Sequence, residues 1–235
     1  MTHLHPHTEK HFQSSEMLSD IVIGMSDGLT VPFALAAGVS QAGVSNSVIV
    51  TAVVAEIVAG AIAMGLGGYL AGQTEHEHYF NELKREYEEI EKMPEREKQE
   101  IREILAHYNI SADVQNKLVD ELSRDKDKWV EFMMQYELGL SEPDMYRARK
   151  SALNIGLSYV AGGLVPLIPY LLTHTPQEGF VGSVILTLMA LLIFGYIKSR
   201  RTGQPPLKGA LKTSFVGLVA AFAAYFVAKL FKDIY

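Results

Sequence analysis

Residues 48–72 read VIVTAVVAEIVAGAIAMGLGGYLAG, and this stretch decides the fold. A helix needs about 20 consecutive apolar residues to cross the hydrocarbon core of a bilayer. Val48–Gly72 meets that length with Glu56 as its only charged side chain. A carboxylate at membrane depth costs about 2.5–3.5 kcal/mol on insertion scales, so it normally faces a partner, a cavity or a transported ion. The preceding apolar stretch repeats the pattern. Asp27 lies inside Ile21-Val22-Ile23-Gly24-Met25-Ser26-Asp27-Gly28-Leu29-Thr30-Val31-Pro32-Phe33-Ala34. Two carboxylates on consecutive spans point to a path for cations.

Working outward, five spans are predicted, at residues 19–40, 48–72, 152–172, 180–197 and 214–230. Pro32 predicts a kink in the first. Gly162, Gly163, Pro166 and Pro169 make the third bent or partly re-entrant in this reading. The loop after the fourth span carries Lys198, Arg200, Arg201, Lys208 and Lys212, which places it in the cytoplasm by the positive-inside rule. The N-terminus and the long insertion after the second span then share that side. The loops 41–47 and 173–179 lack Lys and Arg, as the far side should. Lys229 and Lys232 near the C-terminus mildly oppose the assignment.

The average composition conceals two unlike regions. The 235-residue chain is 48% hydrophobic with a mean hydropathy of +0.09 and a net charge of −6. Residues 75–150 hold 20 acidic and 13 basic residues, net −7, whereas the remainder holds 7 and 8, net +1. An acidic module therefore interrupts a nearly neutral membrane protein, and its sign favours cations and argues against nucleic acid. The predicted divisions are 1–18, a cytoplasmic His-rich segment; 19–72, two spans; 73–150, a cytoplasmic helical module; and 151–235, three spans. The fold class is all-α. With no cysteine, disulfides, zinc-thiolate sites, iron–sulfur clusters and thiol catalysis are excluded. Residues 1–12 lack the basic start and apolar core of a signal peptide, so the first span acts as its own insertion signal.

Within the module, His78–Ile90 continues the second span, and Met93-Pro94 breaks it with a proline suited to a first helical turn. A second helix is expected over 95–108, then a turn at Asn109-Ile110-Ser111 with Ser111 as N-cap. One amphipathic stretch follows through Val114, Leu118, Leu122, Trp129, Phe132 and Met133.

Four glutamates form i,i+3 pairs, Glu86 with Glu89 and Glu97 with Glu100, each pair sharing a helix face. Like charges there repel by a few tenths of a kcal/mol. Either a divalent metal compensates, or the face is solvated and balanced by Lys84, Arg85, Arg96 and Lys98. Met133, Met134 and Glu137 set thioethers near a carboxylate, a donor set that suits a borderline transition metal; the alternative is that the methionines fill the module's core. Met64 lies two turns beyond Glu56 and repeats that chemistry. The ridge Ala52, Glu56, Gly60, Met64, Gly68, Gly72 offers close helix packing, within the chain or across a dimer. His3, His5, His7 and His11 either collect metal or form a plain tail. The single Glu75-x-x-His78 pair argues against a di-iron oxidase, which needs two such pairs. No Walker-type loop is present, which argues against direct ATP drive.

Several long motifs, in order, carry a resemblance. Asp20–Leu35 (DIVIGMSDGLTVPFAL), Ala63–Ala71 (AMGLGGYLA), Phe132–Leu140 (FMMQYELGL) and Gly162–Leu167 (GGLVPL) resemble signatures of the vacuolar iron transporter family, and the match runs from about residue 10 to the end. The resemblance implies a homodimer with five transmembrane helices in the lipid bilayer that exports Fe2+ from the cytosol in exchange for protons. It implies translocation-path roles for Asp27, Glu56 and Met64, and metal-ligand roles for Glu86, Glu89, Glu97, Glu100, Met133, Met134 and Glu137. The short N-terminus lacks the leader common in plant members, which leaves a vacuolar membrane and a bacterial plasma membrane both open. Fe2+ is expected as substrate, with Mn2+ and other divalent metals accepted by the same donors, and no prosthetic group and no enzymatic activity are expected. The alternative is a membrane-anchored metal sensor or store, which needs the module's ligands but neither Asp27 nor Glu56.

Overall fold

A computed structural model describes residues 16–232; the histidines at 3, 5, 7 and 11 lie outside them. Every regular element among the described residues is a helix: α1 (Glu16–Val39), followed by a 3-10 turn at Ser40–Ala42, then α2 (Asn46–Lys92), α3 (Pro94–His107), α4 (Ala112–Leu122), α5 (Lys126–Tyr136), α6 (Arg147–Leu172), α7 (Pro176–Arg201) and α8 (Pro206–Lys232). Five of these, α1, α2, α6, α7 and α8, are long and apolar enough to cross a membrane. Their outward surfaces carry Val58, Ile62 and Leu66 of α2, Leu157 of α6 and Phe222 of α8, all well exposed. Water penalises such a surface; a lipid solvent does not.

The chain divides into two compact units. One comprises residues up to Tyr69 together with Arg149 onward; the other is Leu70–Ala148. In the first unit, Ile49, Val53 and Ile57 of α2 pack with Ala36, Leu167 and Tyr170. Helices α1 and α6 approach until a Cβ on Gly162 would stand 2.8 Å from the Leu29 backbone nitrogen and 3.0 Å from the Met25 carbonyl oxygen. Backbone cannot yield there as a flexible side chain can. Gly162→Leu is therefore expected to destabilise the protein by at least the 1–3 kcal/mol (roughly) of ordinary overpacking, seen as a lowered melting temperature in detergent. A melting temperature equal to wild type would contradict the close approach.

Helix α6 runs unbroken through Pro166 and Pro169, so the third span is one continuous helix rather than a re-entrant segment. Neighbouring groups brace the region. The Ser183 hydroxyl donates to the Pro166 carbonyl at 2.9 Å, and the Thr173 hydroxyl to the Pro169 carbonyl at 2.8 Å.

In the second unit, the end of α2 joins α3, α4 and α5 around Ile90, Ile101, Leu105, Val119, Trp129, Val130, Met133 and Met134. Met93 leaves the helical region and Pro94 opens α3. The amphipathic stretch expected from 114 to 133 is two helices. It breaks at Ser123–Asp125, and Asp125 caps α5 by accepting from the Lys128 amide at 3.3 Å. Ser111 holds the N-cap position of α4, but its side chain makes no capping bond.

Candidate functional site

Glu56 is half-buried on α2. Its Oε1 accepts a hydrogen bond from the Tyr159 hydroxyl of α6. Its Oε2 is buried with no hydrogen-bond partner. Gly60, one turn on, explains how the tyrosine gets there. A Cβ at Gly60 would lie 2.5 Å from Cζ and the hydroxyl oxygen of Tyr159, so only glycine lets the ring lie against α2 and reach back to Glu56. Tyr159 is also within electrostatic reach of Asp27, which is half-buried on α1. Helices α1, α2 and α6 thus bring Asp27, Tyr159 and Glu56 together. Met64 is half-buried one turn beyond Gly60.

The small-residue ridge of α2 faces α6 of the same chain. A Cβ at Gly68 would meet Cδ1 of Ile155 at 2.7 Å and the Ser151 hydroxyl at 2.9 Å. Gly60 and Gly68 therefore serve packing within one protomer.

Two groups carry no signal in the sequence reading. Tyr159 sits mid-span, where a lone phenol reads as an ordinary aromatic. Asp20 is 2% exposed and accepts from the Ser151 hydroxyl at 3.0 Å and the Asn154 amide at 3.5 Å. It lies at the edge of the apolar window, where an acid costs little. Tyr159→Phe removes the donor to Glu56 and keeps the ring. Hydrogen bonds to charged groups contribute about 1.5–3 kcal/mol, so any transport that depends on this carboxylate should fall by roughly tenfold or more while the melting temperature changes little. Uptake assays beside thermal melts check both, and an unchanged uptake rate would remove Tyr159 from the site.

The second unit holds a denser cluster. Carboxylate oxygens of Glu86 on α2, Glu97 on α3 and Glu137 just past α5 lie within 4.8 Å of one another. Glu86 stands one turn before Ile90, and Glu97 one turn before Ile101, so each acid extends the apolar stripe that enters the core. Both are 2% exposed. The Glu137 amide donates to the Met133 carbonyl at 2.9 Å, which fixes the third carboxylate at the end of α5. Burial, and then Glu137, Glu97 and Glu89, push the Glu86 carboxyl up to about 7. Burial, and then Glu100, Glu89 and Glu137, push Glu97 up to about 7 as well. Burial, followed by Glu100 and Glu89, raises Glu137. One oxygen of Glu86, Oε2, is buried without a partner.

The i,i+3 pairs divide. Glu86 and Glu97 turn inward. Glu89 meets Arg85 and Glu100 meets Arg96, each at 3.1 Å, in half-exposed ion pairs. Glu89 still acts through space on all three inner acids, and Glu100 on Glu97 and Glu137. Met133 and Met134 lie in the hydrophobic core of the unit, at 0% and 2% exposure. Three carboxylates this close repel one another when ionised, and a divalent cation would relieve that repulsion through hard oxygen donors.

The profile of the VIT family matches residues 18–229 of this chain. Vacuolar iron transporter 1 of Arabidopsis thaliana is 51% identical over 229 residues, covering 97% of this chain and 92% of that protein. Vacuolar iron transporter 1 of Oryza sativa subsp. japonica is 52% identical over 225 residues, covering 96% and 89%. Protein CCC1 of Saccharomyces cerevisiae is 38% identical over 230 residues, covering 93% and 71%.

Proposed function

The chain belongs to the VIT family, and on that premise we propose that it carries Fe2+ out of the cytosol into a vacuole in exchange for protons. The observation that carries the reading is Glu56. It is a carboxylate in a helix able to span a membrane, with one oxygen held by Tyr159 and the other buried without a partner. A group so placed costs stability unless a cation or a proton satisfies it in turn. Asp27, Glu56 and Met64 form the proposed path. In alternation, its carboxylates hold the metal and then a proton, and the protonated state removes the unpaired charge on return.

The residues 70–148 unit is proposed to lie on the cytosolic side and to bind the metal through Glu86, Glu97 and Glu137, with Glu89 and Glu100 joining on release from Arg85 and Arg96. Met133 and Met134 would add thioether donors. Mn2+ and other divalent metals suit the same donors. The protein is proposed to act as a homodimer, and the names of the plant relatives favour a vacuolar membrane over a plasma membrane. A second reading, a membrane-anchored store, is favoured by one observation: the acidic cluster is complete within its own unit.

Proteoliposomes separate the two. Fe2+ uptake under an imposed pH gradient, with a pH dye inside, is expected to show metal entering as protons leave. Metal binding with no uptake under any gradient would establish the store.

A further inference from the structure

The lysines around the α7–α8 connection line a cavity that the proposed iron path does not use. It measures about 600 Å³ and lies between α1, α7 and α8, within the range of about 300–1,000 Å³ typical of small-molecule sites. Ser26 and Thr30 form its α1 wall, Lys198 its α7 wall, and Lys208, Lys212 and Thr213 its α8 wall. Lys208 and Lys212 are one turn apart and share a helix face.

Three lysines line this cavity and no acidic residue does. Among the described residues no ion pair joins Lys198, Lys208 or Lys212 to a carboxylate. Several lysines elsewhere are matched: Lys92 meets Glu88, Lys98 meets Glu95 and Lys117 meets Asp113, each at 2.8 Å. Three ammonium groups on one cavity repel each other in the absence of an anion. The Thr30 and Thr213 hydroxyls donate to the Ser26 and Gly209 carbonyls, and the lysines, the Ser26 hydroxyl and the Gln204 amide are among the donors that line the cavity. An ammonium is a compact point charge that suits phosphate oxygens. Leu207 and Leu211, beside Lys208 and Lys212, are 74% and 67% exposed and offer an apolar flank for an acyl chain. Basic pockets between membrane helices commonly hold anionic headgroups.

We propose that this cavity binds a multiply charged phosphate-bearing anion, either the headgroup of an anionic lipid or a soluble phosphate ester, gripped by Lys198, Lys208 and Lys212 with Ser26. Ser26 directly precedes Asp27, so the ligand braces α1 beside the carboxylate of the proposed path. The inference stands whether or not iron is the substrate.

The test uses the full chain purified in detergent. Short-chain phosphatidylinositol bisphosphate, inositol trisphosphate and short-chain phosphatidylcholine are titrated in turn. Saturable binding of the first is expected, with none of the zwitterionic lipid. Equal affinity for inositol trisphosphate would assign recognition to the phosphates alone; binding of the lipid only would assign it to headgroup and chain together. The triple variant Lys198→Gln, Lys208→Gln, Lys212→Gln should bind on the order of 100-fold more weakly, at about fivefold for each charge. Unchanged affinity in the variant, or no saturable binding of any phosphate ligand to the wild type, overturns the proposal. Amine acetylation of the wild type gives a readout free of any folding defect. The ligand should protect Lys198, Lys208 and Lys212 and leave Lys84 reactive; protection elsewhere alone overturns the assignment.

Discussion

Glu56→Ala is expected to abolish Fe2+ uptake into proteoliposomes, by at least about 100-fold, while the protein keeps its metal affinity at the acidic cluster. The first half follows from the position of the carboxylate. It is half-buried in α2, tied to Tyr159 through Oε1, and carries an unpartnered buried oxygen at Oε2. Losing a membrane-depth charge interaction worth about 3 kcal/mol at the rate-limiting step slows transport by roughly two orders of magnitude. The second half follows because Glu86, Glu97 and Glu137 belong to the residues 70–148 unit. Glu56→Gln sharpens the argument. Glutamine still accepts from Tyr159 but neither exchanges protons nor neutralises a cation, so transport should fail with packing intact. Uptake by the glutamine variant at the wild-type rate would remove Glu56 from the path, and loss of metal binding together with uptake would deny the division of labour between the units.

The spans were legible because lipid as solvent leaves a simple record: long apolar windows separated by charge. What hydropathy blurs is where a helix goes once it leaves the apolar window. Helix α6 begins at Arg147 and α7 continues to Arg201, since backbone bonding persists after the side chains turn polar. The break at Ser123–Asp125 was hidden because Leu122 and Trp129 fit one continuous stripe; the cap from Asp125 decides it. The glutamate pairs were visible as spacing, yet spacing alone gives both members of a pair one direction. The structure separates them by what lies beside each, apolar core for Glu86 and Glu97 and arginine for Glu89 and Glu100. Tyr159 was not legible, because its role depends on Gly60, a residue far away in sequence that permits the contact.

Proton competition at the acidic cluster gives the second large effect. An ordinary glutamate titrates near 4.5, whereas Glu86 and Glu97 are pushed up to about 7 by burial and by their acidic neighbours. A folded-state value above the unfolded one means that the folded metal-free protein binds more protons across the interval between them. Its stability is therefore highest below about 4.5, falls as pH rises toward 7, and stays low above it. Arg85 and Arg96 oppose the shifts without cancelling them. A divalent ion reverses the sign by taking the place of the protons. Trp129, the single tryptophan, is 4% exposed in the core of this unit, so its fluorescence reports melting of the cluster's own surroundings. In metal-free protein the Trp129 melt should move to lower temperature from pH 5 to pH 7, and added Fe2+ or Mn2+ under reducing conditions should restore it most at neutral pH. Below pH 7 the apparent metal affinity should drop by about tenfold per pH unit for each carboxyl that must lose its proton. In Glu86→Gln, Glu97→Gln both pH dependences should flatten, with metal binding weakened by on the order of 100-fold and the metal-free protein stabilised at pH 7, because two acids that resist ionisation have been replaced by neutral amides of the same shape. A wild-type affinity that is flat from pH 5 to pH 7 would refute proton competition at Glu86 and Glu97, and wild-type binding by the double variant would place the metal elsewhere.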